Sequence, residues 1–129
     1  GLGERRALEE LFAAHNLQDR EFHLARGQSL YRKGDFATAL EALNRARDLP
    51  VLLGNAREID RGITYYCALC YTALHESSGD EVLRRKALDY WFDLKFAFRE
   101  NQNHRYFQEA NRYIRQLTPA GSEDTRQKR

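Results

Sequence analysis

The stretch YRKGDFATALEAL, Tyr31–Leu43, decides the fold. Its opening residues close one helical pattern, Gly34-Asp35 makes a tight turn, and Asp35 is placed to cap the helix that follows. A helix that stops, turns on two residues and restarts is the middle of a helical hairpin. Working outward, the pattern reaches back to Arg20 and forward to Leu49, where Pro50 terminates it.

The same signals recur along the chain. Glu4 to about Leu17 carries Ala7, Leu8, Leu11, Phe12 and His15 on one helical face. Asp19 is expected to cap a second helix, Arg20–Lys33, and Asp35 a third that ends near Leu49. The spacing of Asn55 and Glu58 is that of a capping box and opens a fourth helix running to about Glu76. Ser77–Asp80 reads as a loop whose Asp80 caps a fifth helix, Glu81–Glu100. Asn101–Asn103 then separates it from a sixth, His104–Leu117, with Pro119 just beyond. No useful length alternates with a period of two. The chain is expected to be all-α, with about six helices.

Composition agrees with that reading. The 129 residues are 42% hydrophobic and 31% charged, as expected for one domain over residues 1–117 with a buried core. Residues 118–129, TPAGSEDTRQKR, are polar and aperiodic, and are expected to be a disordered tail or linker. No apolar run approaches the length of a membrane span, and no basic segment followed by an apolar core opens the chain. A formal charge of +2 is too small to argue for nucleic acid. The two cysteines, three positions apart, cannot build a disulfide framework, which favours a reducing, cytoplasmic setting.

The segment EFHLARGQSLYRKGDFATALEALNRARDLP resembles a tetratricopeptide repeat. Gly27 falls at the small residue of the first helix, Ala39 and Ala46 at the small positions of the second, and Leu43 at the bulky position between them. Helices approach closely only where side chains are small, and neighbouring bulky residues fill the grooves that remain. Arg26 and His23 depart from the leucine and large aromatic common in the family. A second, stretched copy places Tyr66, Leu69, Cys70, Ala87 and Trp91 in register, with Leu94 where a small residue is usual. Tyr106, Ala110 and Tyr113 mark a third first-helix without a partner. The resemblance implies a short α-α superhelix of two hairpins with flanking helices. Leu8, Leu11 and Phe12 would cover one end, and Tyr106, Tyr113 and Leu117 the other.

In this family the first helix of each repeat lines a concave groove. Carried over position by position, the ligand-facing residues are Gln28, Tyr31 and Arg32, then Tyr71 and His75, then Phe107, Asn111 and Arg115. Amides suit a peptide backbone, rings suit apolar side chains, and arginines suit carboxylates. The resemblance therefore implies a binding module or adaptor for a peptide or protein partner, one bearing acidic groups. The lysine and asparagine that hold the acidic tails of heat-shock chaperones in other members are replaced by Leu24 and Gln28, so that clamp is not expected.

YWFDLKFAF, Tyr90–Phe98, supports a different reading. Trp91, Leu94 and Phe98 share a face with Ala87, and Tyr90, Phe92 and Phe96 cannot all join them. Either the helix is sandwiched on two sides, or those three rings form an interface for self-association or for another domain. Catalysis is not expected. Cys67-Ala-Leu-Cys70 lies inside a helix without further zinc ligands nearby, the histidines are scattered, and no phosphate-binding glycine motif occurs. No cofactor or metal is expected.

Overall fold

The computed structural model describes residues 1–49 and 56–119, apart from the side chains of Ala13 and Ala56. All regular structure among them is helical, in five elements: α1 (Leu2–Arg32), α2 (Phe36–Asp48), α3 (Ala56–Ser78), α4 (Glu81–Ala97) and α5 (Arg105–Leu117). The expected capping role of Asn55, the stop at Pro50 and most of the tail lie outside the described residues.

Five helices stand where about six were expected, because the first two are one. α1 runs unbroken for 31 residues. The Asn16–Asp19 segment contains neither glycine nor proline; Leu17 and Gln18 are good helix formers and Asn16 and Asp19 only mildly poor ones, so the helix continues through it. Asp19 does not cap a helix; its carboxylate lies 3.4 Å from His15 Nε2, one turn back on the same helix.

Where the chain does turn, the expected residues make the turn. The Gly34 N–H donates to the Tyr31 carbonyl and the Asp35 N–H to the Leu30 carbonyl, both at 2.9 Å. These are the two bonds of a Schellman motif, and Gly34 adopts the left-handed φ of 81° that the motif requires. The Asp35 side chain then accepts from the Thr38 N–H at 3.4 Å. Asp80 caps α4 through the Val82 N–H at 2.8 Å, after Gly79 at φ 71°. His104 caps α5, its Nδ1 accepting from the Tyr106 N–H at 3.0 Å.

The chain divides into two compact units, Gly1–Tyr66 and Cys67–Arg129, with the boundary inside α3. In the first, α1 and α2 form the hairpin centred on the Gly34 turn. Ala39, Ala42, Leu43 and Ala46 are buried on α2. A methyl group built on Gly27 would lie 2.6 Å from Leu43 Cδ2, so only glycine admits the leucine that fills this crossing. Gly62 of α3 similarly receives Leu24, with 3.2 Å between a built Cβ and Leu24 Cδ2.

Arg20 fastens the three helices of this unit. It is 5% exposed; its Nε donates to the Ala46 carbonyl at 2.7 Å and its Nη2 pairs with Asp60. The carbonyl of Ala46 lies in the last turn of α2, and the residue four further on is Pro50, which has no N–H to offer it. The guanidinium supplies that missing donor and places a cation at the negative end of the helix.

The second unit is built around Trp91. Its ring is fully buried and stacks on Tyr113 of α5, with 4.6 Å between centroids and 10° between planes. The Trp91 Nε1–H donates to Thr72 Oγ1 at 2.9 Å, and that hydroxyl donates to the Ala68 carbonyl at 2.8 Å. Ala87, Leu88 and Leu94 of α4 and Ala110, Ile114 and Leu117 of α5 complete the core.

Leu8, Leu11 and Phe12 do not cover an end of the fold. They are 56%, 67% and 67% exposed, in the N-terminal half of α1. The positions that would continue the packed face of α1 toward its N-terminus include Arg6 and Glu9, so the core has no apolar surface to extend onto there. In the second unit, Leu117 is buried and Tyr113 stacks on Trp91.

Candidate functional site

The residues expected to face a ligand are distributed over both units, and each unit treats its own differently. In the first, Tyr31 is half-buried, its ring 5.6 Å from that of Phe36 and 5.8 Å from that of Tyr66. Gln28 is half-buried beside it on α1, and Arg32 is exposed at the helix end. Tyr31 is therefore held in an aromatic cluster, with Arg32 outside it.

In the second unit, Tyr71 stacks on Tyr90, with 5.6 Å between centroids and 13° between planes, and Lys86 Nζ lies 5.6 Å from the Tyr71 ring. One expected groove residue and one expected interface residue thus pack on each other. His75 donates from Nδ1 to the Asp80 carbonyl at 2.9 Å, since a carbonyl can only accept. That bond ties the end of α3 to the start of α4. Glu81, next along, is exposed and its carboxyl is held below the usual range, chiefly by its hydrogen bond from Arg84. Arg84 also donates to the Leu117 carbonyl at 3.0 Å, so this charge serves the end of α5.

Phe107, expected on the ligand side, is only 8% exposed and belongs to the core. Its position on α5 falls with Ala110, Ile114 and Leu117 on one face, which leaves Asn111 and Arg115 on the flank. Those two line an open depression of about 620 Å³ with Arg105, Gln108, Glu109 and Arg112 among its other walls. Arg105 Nε meets Glu109 at 2.9 Å and Arg112 reaches the same carboxylate at 3.8 Å. The Arg115 Nε donates to the Asn111 carbonyl at 3.4 Å. Three guanidiniums and one carboxylate leave the depression net positive. Arg105, Gln108 and Arg112 were not singled out from the sequence; their i, i+3, i+7 spacing beside Asn111 and Arg115 was the available signal.

The aromatic helix resolves into three environments. Trp91 and Leu94 are buried, Tyr90 and Phe92 are half-buried, and Phe96 is exposed with the Arg99 guanidinium 4.0 Å from its ring centre.

Cys67 and Cys70 are free and buried. Burial, and to a smaller extent the neighbouring Cys67, pushes the Cys70 thiol up to about 12. A thiol so protonated and enclosed is a packing group, not a nucleophile. Among the described residues no three His, Cys, Asp or Glu side chains gather as a metal site requires. No helix among them is long and apolar enough to cross a membrane. Comparison with family models, with curated proteins and with solved structures returns no match.

Proposed function

We propose that this chain is a tetratricopeptide-like protein-interaction module that holds an extended peptide bearing acidic groups, as an adaptor or scaffold domain. The observation that carries this reading is the open, net-positive depression along α5, in which Asn111 and Arg115 stand together with Arg105 and Arg112. Guanidiniums on a solvent-facing helix can pair with carboxylates two donors at a time, and the Asn111 and Gln108 amides can meet a peptide backbone. The hairpin supports the family reading separately, since Gly27, Ala39, Leu43 and Ala46 are all buried where the repeat pattern puts its packing residues.

Titration of acidic peptides followed by fluorescence anisotropy tests the proposal. Binding is expected, weakening as salt rises, and Arg112→Glu with Arg115→Glu is expected to weaken it by about tenfold or more at unchanged helicity. Arg32→Glu measures whether α1 contributes. Affinity unaltered by the α5 reversals would remove the basis of the reading.

A further inference from the structure

The continuity of α1 creates a surface that two separate helices would not have. Leu8, Leu11, Phe12 and His15 recur at helical spacing, and with no break at Asp19 the same face continues through Asp19 and Phe22 to Arg26. Phe22 is 64% exposed, and Glu4, Leu8, Leu11, Phe12, His15 and Arg26 are exposed as well. From Glu4 to Arg26 the strip is about 33 Å long. Four large apolar side chains along one open helix face are unusual for a surface that stays in water.

The order of residues along the strip indicates what covers it. One end of the strip carries Glu4, whose carboxylate lies 3.4 Å from the Gly1 ammonium, and the other carries Arg26, with His15 midway between them. Laid antiparallel on its own copy about His15, the strip sets Glu4 against Arg26 of the second copy and Leu8 against Phe22 of the second copy, each twice by symmetry. A parallel pairing would instead set Glu4 on Glu4 and Arg26 on Arg26. The His15 rings would meet at the two-fold axis, each beside its own Asp19 at 3.4 Å, which supplies an acceptor there. We infer that the chain self-associates as an antiparallel dimer through this face of α1, with the two-fold axis passing near His15. This goes beyond peptide binding on α5 and does not depend on it.

Sedimentation of the intact chain over a wide concentration range provides the test. A reversible dimer is expected, weakened about tenfold or more by Leu8→Asp or Phe22→Asp with helicity unchanged. Glu4→Arg and Arg26→Glu should each weaken it, and the two together should restore it. His15→Cys should oxidise to a covalent dimer while Leu8→Cys does not, a clean comparison because both native thiols are buried. A monomer at every concentration, a dimer indifferent to Leu8 and Phe22, a dimer lost on Phe96→Ala instead, or cross-linking through Leu8→Cys would overturn the inference.

Discussion

The Arg20 guanidinium pairs with Asp60 across 40 residues of chain, and the two ends of that pair are not equivalent. Arg20 is buried, whereas the Asp60 side chain is 45% exposed. Removing Asp60 strands a cation inside the protein; removing Arg20 leaves a carboxylate that water can still solvate. Asp60→Ala is therefore expected to cost about 3 kcal/mol, the low end of the range for breaking a buried pair. Arg20→Met keeps the volume and leaves the Ala46 carbonyl without a donor, for about 1–2 kcal/mol. Urea unfolding of the two variants checks the order; an Asp60→Ala protein as stable as the parent would mean the pair contributes nothing.

Gly27 and Gly62 should respond oppositely to alanine. At Gly27 a methyl meets both Leu43 Cδ2 and Cγ, at 2.6 and 2.7 Å, and Leu43 is completely buried. Overpacking of about 1–3 kcal/mol then exceeds the roughly 1 kcal/mol that alanine gains in a helix. At Gly62 the nearest atom is the tip of half-buried Leu24 at 3.2 Å, which can give way. Gly27→Ala should lower the thermal midpoint and Gly62→Ala should leave it unchanged or raise it. Adding Leu43→Val to Gly27→Ala should recover part of the loss.

This contrast shows which features of the chain could be read from residues alone. Gly27, Ala39 and Leu43 were legible because close packing demands small residues at fixed spacing, and Gly34-Asp35 because a left-handed turn demands glycine. Asp19 misled because an aspartate marks a helix start only if the preceding helix stops, and stopping takes a glycine, a proline or a competing partner. With none present, one long helix forms, and the strip linking Leu8 to Phe22 emerges only from that continuity. Phe107 misled for a related reason. The repeat register sets it beside the packing face, whereas its own spacing of i, i+3, i+7 and i+10 with Ala110, Ile114 and Leu117 puts it on the buried face.

Thr72 holds the Trp91 indole through a single hydroxyl that accepts and donates at once. Thr72→Val keeps the shape and deprives a buried N–H of its acceptor, an expected cost of about 1–3 kcal/mol. Thr72→Ser keeps both bonds and should cost clearly less. Trp91 is the only tryptophan, so its emission reports the site directly. The valine variant should change the Trp91 spectrum in the folded state, and an unchanged spectrum with unchanged stability would mean the hydroxyl is dispensable.

Cys70 makes the stability of the second unit sensitive to alkaline pH. A cysteine thiol ordinarily titrates near 9.0, which serves for the unfolded chain, and burial in the folded protein pushes Cys70 up to about 12. Below 9.0 both states carry the proton and the folded state loses nothing. Between 9.0 and about 12 the unfolded chain ionises first, so stability drains as pH rises, by at most about 1.4 kcal/mol per pH unit for this one proton. Comparison with Cys70→Ala isolates the contribution of this one thiol. The stability difference between parent and variant should be constant near neutrality and shift against the parent from about pH 9 upward. Thiol-alkylating reagents provide the second measurement: at neutral pH both cysteines should react only as fast as the protein opens, and rapid labelling of the folded chain would contradict the burial on which this pH dependence rests.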